Sequence, residues 1–579
     1  MTTTHQTPPP VQQVTFVTAY YTIYDQPFLH RTKNWRFDRF SEICQTGIPI
    51  CIFCESESLN EIQQIADYYS NVFIMDFPEG LQGTNIAQMS KSSSYRIPSS
   101  SREGKDTVDY FILMNAKAEF VARVIQVNPF HTSKFAWMDF NLSHVFNHVT
   151  ATCEYMKALS YLPYQDPFMT FSGCWPKITA DDESTVIDNV NWRFCGGFFM
   201  GDADSLTNFY HLYLKWYPLF LERFNAVTWE VNFWAWLEKF GKWNPTWFAA
   251  DHNDSIVKIP ADFWVSGPIK VHAKQEFCDG FLEIPGYYPG SIAYLRHGGR
   301  HIINIRYLNY HILENGTYFF KGFGTTIRTK NVFAEMEWVS ETGAYTIKQI
   351  HCMTEDEIGL ESRDCNWMGL EDIRLFHGGG GGVGDAEIRF SANSTNYSNN
   401  GRNKMIEGVY DICNYKVKQA HVIDSPTDTW IEKNWVPLGN QTYIYSWNPF
   451  QIGRVENNRL EIVKQVSMGM IGQQPLFDKF RGSSIFVEDP TGHLIGVVHL
   501  SEEGSPRRYY HALVVLDKTT LEPVRISELF YFEERGIEFC IGFAVMGDEY
   551  HFWISRMDRD PALLRVKMGD LRWLVGEIK

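Results

Sequence analysis

Two textures of apolar and polar positions divide the chain. From Val14 to Pro260, apolar runs alternate with segments of helical period. VTFVTAYY (14–21), IPICIFCE (48–55), NVFIMDF (71–77) and SKFAWMDFNL (133–142) are near-continuous apolar runs, the pattern of strands buried on both faces. Between them, FDRFSEICQTG (37–47), SLNEIQQIADYY (58–69) and DYFILMNAKAEFVARVIQ (109–126) place apolar residues every three or four positions and predict helices. Gly47 marks the end of the first. Ser58, with Glu61 three residues on, predicts an N-cap for the second. Two further helices are predicted around Phe209 to Phe224 and in TWEVNFWAWLEKF (228–240). This order predicts an α/β domain over 14–262 with a mainly parallel sheet. Residues 1–13 (MTTTHQTPPPVQQ) predict a disordered tail, and the Ser-rich stretch 88–107 a mobile loop beside the sheet.

Beyond about Asp262 the helical period disappears. Short strands alternate with turns: HIINIRYLNYHIL (301–313), TYFFKGFGTTIRT (317–329), AEIRFSANST (386–395), TYIYSWNPFQIGRV (442–455), HLIGVVHL (493–500), YYHALVVLD (509–517) and EYHFWISRMD (549–558). Regular strands of this kind predict an all-β domain over 270–579. Roughly 300 residues at roughly 45–60 per four-stranded blade give a propeller of about five to six blades, with a pair of β-sandwiches as the alternative. HGGGGGVG (377–384) lacks a following helix and a Lys-Ser/Thr, so it predicts a hairpin tip rather than a phosphate cradle.

Composition narrows the function classes. The 579 residues carry a formal net charge of −16, a poor match for wrapping nucleic acid. No stretch approaches the ~18 apolar residues of a membrane span, and the polar, Pro-rich start does not read as a signal peptide. Eleven cysteines, scattered without paired spacing, predict a reducing, cytoplasmic setting. Cys51 and Cys54 would point to opposite faces of one strand, a poor redox pair. With 18 Trp, 29 Tyr and 42 Phe, the chain is 15% aromatic. Strand packing and stacking on sugar rings both explain that share.

In the first half, the strand FAWMDFN (135–141) ends in Asp139-Phe140-Asn141. Ligands of open α/β sheets bind just beyond strand carboxyl ends, where two oxygen-bearing side chains can hold a divalent cation or a ribose. Upstream, Lys117 and Arg123 lie on a predicted helix. Downstream come FCGGFFMGD (194–202), with Gly196 and Gly197, then Glu230, and then Asp251-His252 in WFAADHND. Together these strings resemble the HtrL/YibB-type family of GT-A-like glycosyltransferases over about residues 14–255. Asn141 stands where that family has Gly, and Trp229-Glu230-Val231 replaces D-E-Q. The resemblance implies a Rossmann-like nucleotide-sugar domain using Mn²⁺ or Mg²⁺. Asp139, Asn141 and His252 would hold the metal. Lys117 and Arg123 would neutralise phosphate, and Gly196 and Gly197 would let backbone approach a sugar. Glu230 would be the general base if the domain inverts.

In the second half, MGLEDIRLF (368–376), IEKNWVPL (431–438), FRGSSIF (480–486) and RRYYHALVVLD (507–517) mix carboxylates, cations, amides and aromatics at blade-like intervals. With NIRYLNY (304–310), they resemble the five-bladed β-propeller β-mannoside phosphorylases, hydrolases and mannosyltransferases, Ile373 standing where Pro is usual. The resemblance implies Asp372 as acid/base, with Glu371 and Arg374 anchoring substrate or the neighbouring carboxylate. Arg306 and Asn309 would belong to an early substrate-binding strand. Lys433, Arg481 and His511 would bind phosphate or a diphosphate, Trp435 would stack a sugar, and Asn434 and Tyr510 would complete the pocket. The combined expectation is a bifunctional glycosyltransferase acting on a nucleotide sugar and a glycan acceptor. A phosphorylase or hydrolase, or a non-catalytic carbohydrate-binding module, is the alternative for the propeller.

Overall fold

The computed structural model of the chain describes residues 12–23, 31–91, 94–162, 164–178, 187–265, 267–277, 280–321, 324–378, 387–466 and 479–575. The chain divides into two compact units, Pro10–Trp264 and Val265–Lys579.

The first unit is built on a seven-stranded mixed sheet. Its strands are β1 (Val14–Tyr20), β2 (Ile50–Cys54), β3 (Val72–Ile74), β4 (Lys134–Met138), β5 (Met169–Gly173), β6 (Phe198–Asp202) and β7 (Trp247–Ala249), in the order β3-β2-β1-β4-β6-β5-β7. β1, β2, β3 and β4 pair in parallel, whereas β6 runs antiparallel to both β4 and β5. The chain passes from β1 to β2 on one side and later returns to place β4 on the other. The strand order therefore reverses between β1 and β4, and that switch point opens a crevice at their carboxyl ends. The helices are α1 (Lys33–Cys44), α2 (Leu59–Tyr68), α3 (Asn85–Ser90), α4 (Val108–Asn115), α5 (Lys117–Val127), α6 (Val149–Leu159), α7 (Ala203–Phe224) and α8 (Glu230–Lys239). All seven residues of β1 are buried, as its unbroken apolar run requires.

Local details depart from the sequence reading. The single helix expected over 109–126 is two, α4 and α5, joined at Ala116. Ser58 caps no helix amide, because its hydroxyl is turned back onto Glu55, 3.1 Å away. Gln13, expected in a disordered tail, takes the amide of Lys134 on its carbonyl and so extends the sheet. The stretch 88–107 starts inside α3 and is tied down by Arg96, paired with Asp188 at 2.6 Å, and by the Ser99 amide on the same carboxylate at 2.9 Å. Its described residues are thus tied to the rest of the unit at Arg96 and Ser99.

The second unit is a five-bladed β-propeller. From the centre outward, blade 1 comprises Tyr288–His297, Arg300–Leu308, Ile327–Val339 and Ala344–Cys352. Blade 2 comprises Glu371–His377, Ile388–Ser394, Lys404–Asp411 and Lys416–Ile423, with Thr354–Glu357 added at its rim. Blade 3 runs Val436–Gly439, Thr442–Trp447, Phe450–Glu456 and Arg459–Val466. Blade 4 is built on Arg481–Gly482, Leu494–Glu502, Arg508–Leu516 and Pro523–Ser527. Blade 5 comprises Glu538–Met546, Glu549–Arg556 and Arg559–Lys567, and its outer strand is Ala273–Glu276, the first of the domain. That pairing closes the ring and removes two free edges. TYIYSWNPFQIGRV is a hairpin turning at Asn448-Pro449 rather than one strand. The glycine-rich residues 379–384 lie outside the described residues.

Candidate functional site

In the first unit, a cavity of about 820 Å³ opens at the carboxyl ends of β1 and β4. Its floor is a charge triad. The Lys117 ammonium, on the first turn of α5, meets Asp139 Oδ1 at 2.9 Å and Glu230 Oε1 at 2.7 Å, and donates to the Gly196 carbonyl at 2.9 Å. The Trp137 indole N–H donates to the same Asp139 oxygen at 2.9 Å. Lys117 and Glu230 are buried, whereas Asp139 is 36% exposed. Burial presses the Lys117 pKa down, but Asp139 and Glu230 outweigh it and the net shift is upward. For Glu230 burial wins: its pKa is raised, Lys117 opposing the shift and Asp139 adding to it.

The two glycines take part in this arrangement. A Cβ on Gly196 would lie 1.9 Å from Glu230 Oε1, so Gly196 makes room for the carboxylate while its carbonyl holds the lysine. The Gly197 carbonyl receives the Asp139 amide at 3.0 Å. Both glycines line the cavity and help build its floor.

Asn141 and His252 line the same cavity, and His252 packs edge-on against Trp192. Asp139 keeps Oδ2 outside the lysine and indole bonds. The carboxylate oxygen and the amide oxygen are of the kind Mn²⁺ or Mg²⁺ takes when diphosphate oxygens complete the sphere, and His252 adds an imidazole to the lining. Among the described residues, no group of three or more His, Cys, Asp or Glu side chains converges as a metal site. Asn141 and the ligand's own oxygens would therefore have to contribute.

Arg123 is a correction. It lies six residues after Lys117, about 120° away round the helix. Its guanidinium pairs with Glu119 at 2.7 Å and covers the Phe77 ring at 4.3 Å, away from the cavity. Besides Lys117, Arg31 and Arg36, beside and within the first turn of α1, and Arg102 and Lys105 on the 96–107 segment line the cavity. α1 follows β1, so its first turn lies at the sheet's carboxyl edge, a placement the order of elements already implies. Tyr21, directly after β1, is buried and lines this space.

In the propeller, charged groups gather where the blades begin. Arg306, at the end of its strand in blade 1, meets Asp372 Oδ1 at 2.7 Å and Glu371 Oε1 at 3.4 Å at the start of the innermost strand of blade 2. Asp558, in the turn between two strands of blade 5, accepts the Tyr310 hydroxyl at 2.9 Å. Asp372, Asn434 and Asp558 all hold left-handed backbone, with φ of 52°, 64° and 56°. Non-glycine residues in that region cost free energy and concentrate where geometry is imposed for function. Burial raises the pKa of both Glu371 and Asp558, Arg306 opposing it in each case. Exposed Lys433 acts electrostatically on Glu371 and Asp558 and, with Arg481, on His499. Strand register places Arg481 opposite His499, whose Nδ1 lies 2.7 Å from the Ser483 hydroxyl.

Five of the residues proposed from sequence turn out to be structural. Arg374 is buried and donates to the carbonyls of Ser483 and Gly482 and to Asn434 Oδ1, stitching blade 2 to blades 3 and 4; burial lowers its pKa to about 10. Asn309 spends its amide on Thr326 and Arg328 backbone. Trp435 is a core residue of blade 3, its N–H on Glu432 and its ring against Tyr445. Tyr510 and His511 are fully buried; His511 packs on Phe532, and burial drives its pKa down to about 3. Alternation decides this: Tyr509, one residue earlier, has its ring on His499 at 5.7 Å, and His511 sits on the same face two residues deeper. Asp558 and His499 carried no motif; Asp558 is placed by the turn between two strands of blade 5 and His499 by strand pairing within blade 4.

Comparison with known proteins follows this division. Residues 89–227 match the family model described as bacterial protein of unknown function (HtrL_YibB), about a quarter of the chain. No curated protein sequence matches. Among solved structures, the chain is similar to a β-1,2-mannobiose phosphorylase from Listeria innocua, with 12% identity, TM-score 0.33, and coverage of 51% of this chain and 94% of that one. A mannose phosphorylase from Leishmania mexicana has 11% identity and TM-score 0.30, covering 52% and 89%. A GDP-Man-dependent mannosyltransferase from the same organism has 10% identity and TM-score 0.30, covering 52% and 90%. The propeller assignment rests on the five sheets themselves, and the chain carries two units where each of these neighbours overlaps about half of it.

Proposed function

We propose that the α/β unit transfers a sugar from a nucleotide sugar. The Lys117–Asp139–Glu230 triad, on the floor of a cavity at the β1/β4 switch point, carries this reading. Arg31, Arg36, Arg102 and Lys105 supply positive charge for a diphosphate, and the aromatic walls suit a nucleoside and a sugar. The switch point beside a reversed β6 supports a GT-A-like, Rossmann-related arrangement. Asp139, Asn141 and His252 would hold Mn²⁺ or Mg²⁺, which supplies Lewis-acid charge for a leaving diphosphate. Lys117 fixes Asp139 and Glu230 in place. Glu230 Oε1 is committed to Lys117, so Oε2 takes the proton of an acceptor hydroxyl as that oxygen attacks the anomeric carbon and the nucleoside diphosphate leaves. Its raised pKa makes it a better base than an ordinary carboxylate. The test is turnover of a nucleotide-sugar panel by the full chain. Asp139→Ala should abolish it, and wild-type rates in that variant would remove the assignment.

For the propeller, the reading is transfer of a mannose-like sugar at the Arg306–Glu371–Asp372–Asp558 cluster, with Asp372 as acid/base. The cations Lys433 and Arg481 favour an anionic co-substrate, which phosphorolysis would also use. Incubating the full chain with β-1,2-mannobiose and inorganic phosphate separates the two: release of mannose 1-phosphate would overturn the transferase reading. If Asp372→Asn changes neither turnover nor sugar binding, the propeller is a binding module.

A further inference from the structure

Two cysteines outside the lining of the α/β cavity stand against each other beside its floor. Cys174 follows the last residue of β5, and Cys195 directly precedes Gly196. Backbone bonds press the two segments together. The Cys174 amide donates to the Trp192 carbonyl at 3.1 Å, and the Cys195 amide to the Ser172 carbonyl at 2.8 Å. A Cβ on Gly173 would lie 2.3 Å from the Arg193 carbonyl oxygen, so the backbones touch there. The two sulfurs meet at 3.3 Å, and the Asp251 carboxylate lies 3.9 Å from Cys174 Sγ. Cys174 is partly exposed, whereas Cys195 is buried. Burial raises the pKa of both, so each rests as a thiol near neutrality.

Neither thiol takes part in the transfer chemistry, yet both are tied to the groups that do. The residue after Cys195 is Gly196, whose carbonyl holds the Lys117 ammonium at 2.9 Å. That glycine has no slack, since even a Cβ on it would fall 1.9 Å from Glu230 Oε1. Trp192, which receives the Cys174 amide, also receives the Trp175 amide at 2.9 Å, lines the cavity and packs on His252. A disulfide needs sulfurs about 2.05 Å apart, so this pair must close by roughly 1.2 Å to form one. That movement bears on Gly196 through Cys195 and on Trp192 through Cys174.

We propose that Cys174 and Cys195 are a modification site: a low-molecular-weight disulfide converts them reversibly to a disulfide and so turns the α/β site off. The thiolate of the partly exposed Cys174 attacks one sulfur of the small disulfide and releases a first small thiol. Cys195 then attacks the mixed disulfide at the Cys174 sulfur and releases a second. The two cysteines are oxidised, the small disulfide is reduced, and the two cysteine protons leave on the two small thiols. Closing the pair draws the Gly196 carbonyl off Lys117 and loosens Glu230. The loss of turnover rests on the nucleotide-sugar reading; the cross-link and the loosening do not.

The test treats the full chain with oxidised glutathione and then with dithiothreitol. Peptide mass mapping should find a Cys174–Cys195 cross-link that dithiothreitol removes. Its absence under conditions that glutathionylate the exposed Cys413 overturns the proposal. Amide exchange in peptides covering 230–239 should run roughly tenfold faster in the oxidised chain. Nucleotide-sugar turnover should fall at least tenfold, the scale set by a misplacement of about 1 Å. Cys174→Ser should keep exchange and turnover at their reduced wild-type values with and without oxidant. A cross-link that leaves both unchanged overturns the switch, as does a Cys174→Ser chain that the oxidant still impairs. If the reduced wild type turns over no nucleotide sugar, the transfer reading fails, and the cross-link and the exchange decide the switch by themselves.

Discussion

Replacing Lys117 by methionine removes the cation at the centre of the first site while keeping its volume close to constant. Two carboxylates lose a partner at 2.7 and 2.9 Å. Glu230 is 5% exposed and recruits water less readily than Asp139, which is 36% exposed, so the cost falls mainly on Glu230. Removing one member of a buried ion pair costs about 3–5 kcal/mol. Expressed as local opening, about 3 kcal/mol is roughly a hundredfold faster amide exchange in peptides covering 230–239. The measurement is hydrogen-exchange mass spectrometry on the full chain, which reports the α/β unit separately from the propeller. Glu230 can escape the penalty by protonation. Its folded pKa is already raised, so its ionisation costs stability as pH climbs through the unfolded value toward the folded one. The Lys117→Met defect should therefore shrink as pH falls into the carboxylate range. Lys117→Met/Glu230→Gln should recover most of the loss, because a neutral pair leaves no orphaned charge. A defect below about 1 kcal/mol, or a double variant as damaged as the two singles summed, would refute the triad as a coupled unit.

Gly196→Ala should abolish nucleotide-sugar turnover even though alanine is small, because its methyl group falls on Glu230 Oε1; normal kcat in this variant would contradict the packing described. Trp435→Phe should lower the melting temperature of the propeller by a few degrees, through loss of the Glu432 bond and of core volume, and leave sugar binding intact; a weaker sugar affinity at unchanged stability would restore it as a stacking residue. Glu538 is buried, and burial pushes its carboxyl up to about 7 despite three backbone N–H donors. The raised pKa means that stability present below the ordinary carboxylate value is lost as pH rises through 7. The melting temperature of Glu538→Gln should accordingly gain on wild type between pH 5 and 8, and a difference constant across that range would rule this out.

Much of the fold was legible because the burial pattern is written in short runs. An apolar stretch such as VTFVTAYY leaves little choice but a two-sided buried strand, and five sets of alternating strands do not fit an α/β layer. Helix ends were less legible. Ser58 has the composition of a cap but spends its hydroxyl on Glu55, and Ala116 breaks a continuous helical pattern without any breaker residue. At the sites, the motif-bearing carboxylates Asp139, Glu371 and Asp372 fell where strand ends put them. Their partners divided. Lys117 reaches the floor of the cavity, while Arg123 is carried away by helix periodicity. Tyr510 was misplaced because a strand turns neighbouring residues to opposite faces, and His511 because it lies two residues deeper than Tyr509 on the same face; only pairing with the next strand decides either.

The sequence by itself determined the two-part organisation, the element types and the positions of the carboxylates, since these depend on local periodicity and on where strands end. Tertiary structure decided which charges meet. Lys117 and Glu230 are 113 residues apart, and Tyr310 and Asp558 are 248 apart. Contacts of that span leave no local spacing to read. They exist because parallel strands gather their carboxyl ends at one edge and because a closed ring brings its last blade beside its first.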